Sequence, residues 1–110
     1  RSVLVGEVKT CLIRVRNVRS QSDQEVRLKL QLSPGMRVER LVDGRAEIAT
    51  IDARTGVVTF EPIRELRAGE EVTFRLRLRS RQSGRTELDA SVTSRRQLDP
   101  ATAATAFFVQ

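Results

Sequence analysis

The residues best suited by type and spacing to act on something outside the chain are arginines. Arg75, Arg77 and Arg79 alternate along one short run, Arg14 and Arg16 along another, and Arg27 lies in a third. In an extended strand, alternate side chains share one side and stand about 7 Å apart. Together the six could form a basic stripe that neutralises the sulfate or phosphate groups of an anionic polymer, with affinity falling steeply as salt rises. The competing reading is a solvated face, whose arginine stems cover apolar surface and whose charges discourage edge-to-edge pairing. One sequence does not say which of the six share a sheet. Nucleic acid is the weaker polyanion, because no aromatic is placed among them for base stacking.

Other reactive residue types offer less. Cys11 is the single cysteine, so no disulfide forms within the chain, and its phase with Ile13 and Val15 turns it towards a core. A thiol in apolar surroundings stays protonated and behaves as a small hydrophobe. With no histidine and one cysteine, the usual zinc, haem and iron–sulfur ligand sets cannot be assembled, nor can a thiol–imidazole pair or a Ser-His-Asp triad. Acidic residues, among them Glu7, Asp43, Glu47, Asp52, Glu65, Glu70, Glu71, Glu87, Asp89 and Asp99, are scattered, and Glu70-Glu71 is the one adjacent pair. They form no calcium loop of the D-x-D-x-D-G kind, and nothing pairs two carboxylates for glycoside hydrolysis. The expectation is therefore no catalytic residue, no metal and no cofactor.

The elements that would carry these residues are strands. Strict alternation of apolar and polar residues marks a half-buried strand. It runs through Cys11-Leu12-Ile13-Arg14-Val15-Arg16, through Val26-Arg27-Leu28-Lys29-Leu30-Gln31-Leu32, and through Val72-Thr73-Phe74-Arg75-Leu76-Arg77-Leu78-Arg79. In 86–92, Thr86, Leu88, Ala90 and Val92 point one way. Weaker strands are expected at 36–39, 46–51, 57–61 and 104–109, with an edge piece at 3–5. Pro34-Gly35, Asp43-Gly44, the turn closed by Gly56, Ala68-Gly69, Ser83-Gly84 and Asp99-Pro100 separate these runs. That punctuation predicts an all-β, antiparallel, immunoglobulin-like sandwich of about seven to nine strands in two sheets. Pro62 has no amide proton to give a central strand, so the stretch 61–66 reads as the crossover between sheets, with Ile63 and Leu66 plugging the sandwich end. The segments 20–25 and 94–103 read as the most mobile.

Length and composition fit that layout. One domain spans 1–110, and about two thirds of the unfolded surface of such a chain is buried on folding. Aromatics are four Phe with no Trp or Tyr, so the core is built from Val, Leu and Ile. Phe60 and Phe74 fall at core positions, which leaves no aromatic platform for sugars. Phe107 and Phe108 are adjacent, so one of them should face outward, either against a neighbouring domain or at a frayed end. The net charge is +6, with Lys9 and Lys29 the only lysines; the plainer account of that balance is a genome-wide preference for arginine on solvated strand faces, with polyanion binding as the alternative. No apolar stretch approaches the roughly 20 residues of a membrane-spanning helix, so this segment is not expected to insert into a membrane. A start at Arg1 rather than Met is expected of a piece of a longer chain.

The order of motifs resembles the Ig-like conserved repeat domain of bacterial and archaeal cell-surface proteins. Val5-Gly6-Glu7 followed by a strand ending Val15-Arg16-Asn17 is similar to the family's first strand. Leu32-Ser33-Pro34-Gly35-Met36 looks like its Leu-Pro-x-Gly turn, and Leu66-Arg67-Ala68-Gly69-Glu70 like its L-x-x-G-E turn. Leu88 to Ser94, then Asp99-Pro100-Ala101 and Ala104-Thr105-Ala106, resemble its closing strands. Two departures stand out: the turn after the first strand, Asn17-Val18-Arg19-Ser20, lacks glycine, and arginine replaces the threonine common at outward strand positions. The resemblance implies a module that occurs in tandem outside the cytoplasm, a spacer or adhesion scaffold without catalytic residues. Its partners would be neighbouring domains of the same chain, another protein, or an anionic polymer. Some surface Ig-like domains form a Lys–Asn isopeptide bond, and Lys9 is in phase to face inward. The only asparagine, Asn17, lies on the same strand and out of reach, which leaves only an aspartate as a conceivable partner.

Overall fold

The computed structural model describes residues 2–109, with side chains from 4 to 105. Ten strands follow one another: β1 (Ser2–Val3), β2 (Val8–Arg16), β3 (Asp23–Leu32), β4 (Met36–Asp43), β5 (Ile48–Asp52), β6 (Val57–Phe60), β7 (Ile63–Leu66), β8 (Glu71–Ser80), β9 (Gly84–Thr93) and β10 (Ala101–Val109). Among the described residues there is no helix. The strands form a sandwich of two sheets. One runs β1-β10-β9-β3-β6-β5, with β7 continuing beside β3; the other is the three-stranded β2-β8-β4. Pairing is antiparallel except where two-residue β1 lies parallel to the end of β10. This is the immunoglobulin-like fold that the alternation implied.

The two longest alternating runs become the two central strands. In β3, Val26, Leu28, Leu30 and Leu32 are buried while Arg27, Lys29 and Gln31 are exposed. In β8, Val72, Phe74, Leu76 and Leu78 are buried while Arg75 and Arg77 are exposed. A strand flanked on both sides must bury every second side chain in the sandwich interior, so these runs tolerate no error in phase. Each such side chain contributes about 1.5–3 kcal/mol on full burial. The Phe60 and Phe74 rings meet edge to face, with centroids 5.1 Å apart, a favoured aromatic geometry. Edge strand β2 is less covered, so Cys11 and Ile13 are half-buried against the same core.

Several expectations change: the edge piece falls at 2–3 rather than 3–5, and the strand expected at 36–39 runs on to Asp43. The chain does not cross between sheets at Pro62: β6 pairs with Lys29, Leu30 and Gln31, and β7 with Asp23, Gln24 and Val26, so both lie along β3. Pro62 interrupts the strand without redirecting it, and Ile63 and Leu66 are core residues as foreseen. The crossing comes one turn later, at 67–70, where the Glu70 amide donates to the Arg67 carbonyl and Gly69 takes φ +74°. That turn needs positive φ at its third residue, which glycine supplies without a Cβ clash.

The segment 20–25 is partly strand. Glu25, at φ 53°, breaks the alternation of β3 without shifting its register against β7, so that Asp23 and Val26, three apart, both turn inward. Residues 94–97 are tied down by hydrogen bonds described below, and β10 begins at Ala101 rather than 104. The side chains of Phe107 and Phe108 lie outside the described residues.

Candidate functional site

Strand pairing decides which arginines share a surface. Across β2-β8-β4, Arg79 lies between Val8 and Arg37, Arg77 between Thr10 and Arg40, and Arg75 between Leu12 and Asp43. Arg14 is opposite Thr73 and Arg16 opposite Glu71. Bulges in β4 between Val38 and Arg40, and between Leu41 and Asp43, place Glu39, Arg40, Val42 and Asp43 all at exposed positions. Five of the six arginines singled out in the sequence, Arg14, Arg16, Arg75, Arg77 and Arg79, therefore share one outer face. Arg37 and Arg40 join them; the weak alternation of β4 had hidden both. Arg27 does not belong, because it lies on β3, opposite Thr93, on the outer side of the other sheet.

The face is incompletely neutralised. Arg79 is engaged by Glu39 and by the Gly6 carbonyl, and Arg75 approaches Asp43 at 4.0 Å. Among the described residues, Arg14, Arg16, Arg37, Arg40 and Arg77 make no side-chain hydrogen bond or ion pair. Leu12 (46% exposed) and Val42 (36%) are apolar spots on the same face.

The other residues considered for chemistry have structural environments. Burial pushes the Cys11 thiol above its ordinary pKa, with the Lys9 charge pulling partly the other way, so the thiol stays protonated and unreactive at neutral pH. Lys9 is half-buried on the inward side of β2, opposite Leu78. Glu70 accepts from the Arg67 amide at 2.8 Å and pairs with Arg45 at 2.8 Å, and both contacts hold its carboxyl below the usual range. Among the described residues no group of three or more Cys, Asp or Glu is placed to hold a metal ion.

A polar cluster at one end of the sandwich was not foreseen. Asn17 is buried just beyond β2; its side-chain amide donates to the carbonyls of Gln21 (2.8 Å) and Leu66 (3.0 Å), and its oxygen accepts from the Arg19 amide. Asp23, only 6% exposed, accepts from the Ser94 hydroxyl and from the amides of Gln24 and Arg96. Burial alone would raise the Asp23 pKa. The three hydrogen bonds and the Arg19 charge outweigh it, and the carboxyl sits below its usual range. The two residues clamp the β2–β3 connection to the turn after β7 and to the 94–97 segment. Nothing in their spacing announces this, since Ser94 is 71 residues from Asp23.

No protein-family model and no curated protein sequence matches the chain. Solved structures match it in fold. The full-length major pilin SpaD of Corynebacterium diphtheriae superposes with a TM-score of 0.69 at 6% identity, over 94% of this chain and 30% of the pilin. The collagen-binding domain of a Staphylococcus aureus adhesin superposes with a TM-score of 0.61 at 9% identity, over 92% of this chain and 87% of that domain. A family 123 glycoside hydrolase from Clostridium perfringens matches with a TM-score of 0.64 at 11% identity, over 99% of this chain. The chain spans only 22% of that enzyme's length. At these identities the similarity is one of fold: an immunoglobulin-like sandwich of the kind found in bacterial adhesins and pilins.

Proposed function

We propose that this domain is a non-catalytic structural module of a bacterial surface or secreted protein, one of several tandem Ig-like domains that act as spacer or adhesion scaffold. The observation that carries this reading is the use of the interior. The space between the sheets is filled by one apolar core, and the buried polar side chains of Asn17, Asp23, Ser80 and Ser94 are hydrogen-bonded to their own chain. Such a body holds its shape and meets partners through its outer faces. Its extents of 44 × 25 × 25 Å suit a unit that adds length to a stalk, and the same sandwich serves in an adhesin domain and a major pilin. The ordered resemblance of its turns and strands to the bacterial and archaeal surface repeat family supports the same reading, although no family model matches the chain. The partners nearest at hand are then the neighbouring domains of the same chain.

Protease shaving of intact source cells, with mass spectrometry of the released peptides, tests the reading. Peptides from this domain, accompanied by peptides from similar neighbouring domains, are the expected result. Their release only after cell lysis would contradict a surface location and favour an internal accessory role.

A further inference from the structure

The arginines of the three-stranded sheet are distributed in a way that fold and composition do not explain. Strands β2, β8 and β4 place seven arginines outward against the three carboxylates Glu39, Asp43 and Glu71. The strands of the larger sheet carry Arg27, Lys29, Arg64 and Arg85 against Glu25, Asp52, Glu65, Glu87 and Asp89, with Asp23 buried besides. A general preference for arginine over lysine would act on both sheets alike, so it does not produce this difference. The pairing adds a second observation. Arg77 is directly opposite Arg40, and Arg79 directly opposite Arg37. Like charges facing each other across a strand pair destabilise a sheet, yet this face keeps two such pairs with only Arg79 held by a carboxylate.

We infer that the outer face of β2-β8-β4 docks a linear anionic polysaccharide through Arg14, Arg16, Arg37, Arg40 and Arg77. Guanidinium groups present paired donors that match carboxylate and sulfate oxygens, and these five have no competing partner among the described residues. Along a strand, alternate arginines stand about 7 Å apart, and adjacent strands about 4.8 Å apart, so the cations form a two-dimensional array that follows an extended chain. Exposed Leu12 and Val42 lie among them and give apolar contact to the C–H faces of sugar rings. The described part of the face has no aromatic side chain, so the stacking platform that single-stranded nucleic acid uses is missing. The inference concerns the face itself and does not depend on where the parent protein resides.

The test is titration of the purified 110-residue domain with dextran sulfate at several salt concentrations, with inorganic polyphosphate and duplex DNA as competitors. The variant R14Q/R40Q/R77Q is expected to lose at least tenfold in affinity and to flatten the plot of log K against log salt by about three, one per cation removed. The variant R27Q/K29Q/R64Q, which removes the same charge from the other sheet, is expected to change affinity by less than twofold. Circular dichroism melts confirm that both fold. Equal losses in the two variants would overturn the inference, because binding would then follow net charge rather than this face. Tighter binding of polyphosphate or DNA than of the sulfated glycan would overturn it too, as would no binding of dextran sulfate at physiological salt.

Discussion

The two sheets of this domain are alike on their inner sides and unlike on their outer sides. Inward, β3 and β8 present nearly interchangeable rows of Val, Leu and Phe that meet in one core. Outward, β3 carries Glu25, Arg27, Lys29 and Gln31 beside the carboxylates of β7 and β9, whereas β8 is lined by arginines flanked by more arginines on β2 and β4. The inner rows are dictated by the fold, because each position must fill the interior. The outer rows are free of that constraint, and the arginine excess on one of them is the feature that the inferred polysaccharide docking would use.

The largest effect that would sharpen this contrast comes from an inward and an outward position on one strand. Phe74→Ala, at a residue 0% exposed, should cost about 3–5 kcal/mol, while Arg77→Gln on the same strand should stay within about 0.5 kcal/mol. Urea denaturation of both variants measures the difference. A comparable loss for Arg77→Gln would mean that the outer face also holds the fold together.

Next in size is the polar clamp. Asn17→Ala strips partners from the Leu66 carbonyl and the Arg19 amide, and should cost about 1–3 kcal/mol. Asp23 adds a pH signature. Its folded pKa lies below the ordinary value, so its contribution is fully present above the unfolded value near 4 and is lost as pH falls through the folded one. Thermal melts from pH 7 to pH 3 should show the native domain losing more stability than Asp23→Asn over the acid part of the range. Parallel curves for the two would remove Asp23 from the clamp.

The smallest effects separate the two outer faces directly. Arg40→Glu relieves the repulsion with Arg77 and should stabilise the domain by about 0.2–1 kcal/mol. Lys29→Glu, which lies diagonal to Asp89 across the β3–β9 pair, should destabilise it slightly. Urea midpoints of the two variants at low salt should move in opposite directions and converge as salt screens the surface charges.

What could be read in the sequence follows from the range of each interaction. The alternation of β3, β8 and β9 is local, so those strands and their inward residues were visible before any pairing was known. Sheet membership is not local. Arg27 looks like Arg75 in its own segment, and only the pairing of β3 with β9 and β6 separates them. Pro62 marks an interruption, but whether the chain then changes sheet depends on the pairing of β7 with β3, whose residues lie 37–43 positions before their partners. The positive φ at Glu25 breaks the alternation that would have extended β3 back to Asp23. The clamp was hidden for the same reason: a carboxylate is buried at Asp23 because Ser94 and the Arg96 amide meet it there, and neither lies nearby in the chain. The bulges of β4 spoil its period of two, so no local pattern groups Arg37 and Arg40 with the other arginines.

The most direct test of unequal outer faces is an amide-detected NMR titration of the 15N-labelled domain with a short sulfated oligosaccharide at physiological salt. The account predicts chemical-shift changes concentrated in β2, β4 and β8 around Thr10, Arg40 and Arg77, with the amides of Arg27, Lys29 and Ser91 unmoved. Shifts spread evenly over both sheets, or centred on β3 and β9, would contradict it.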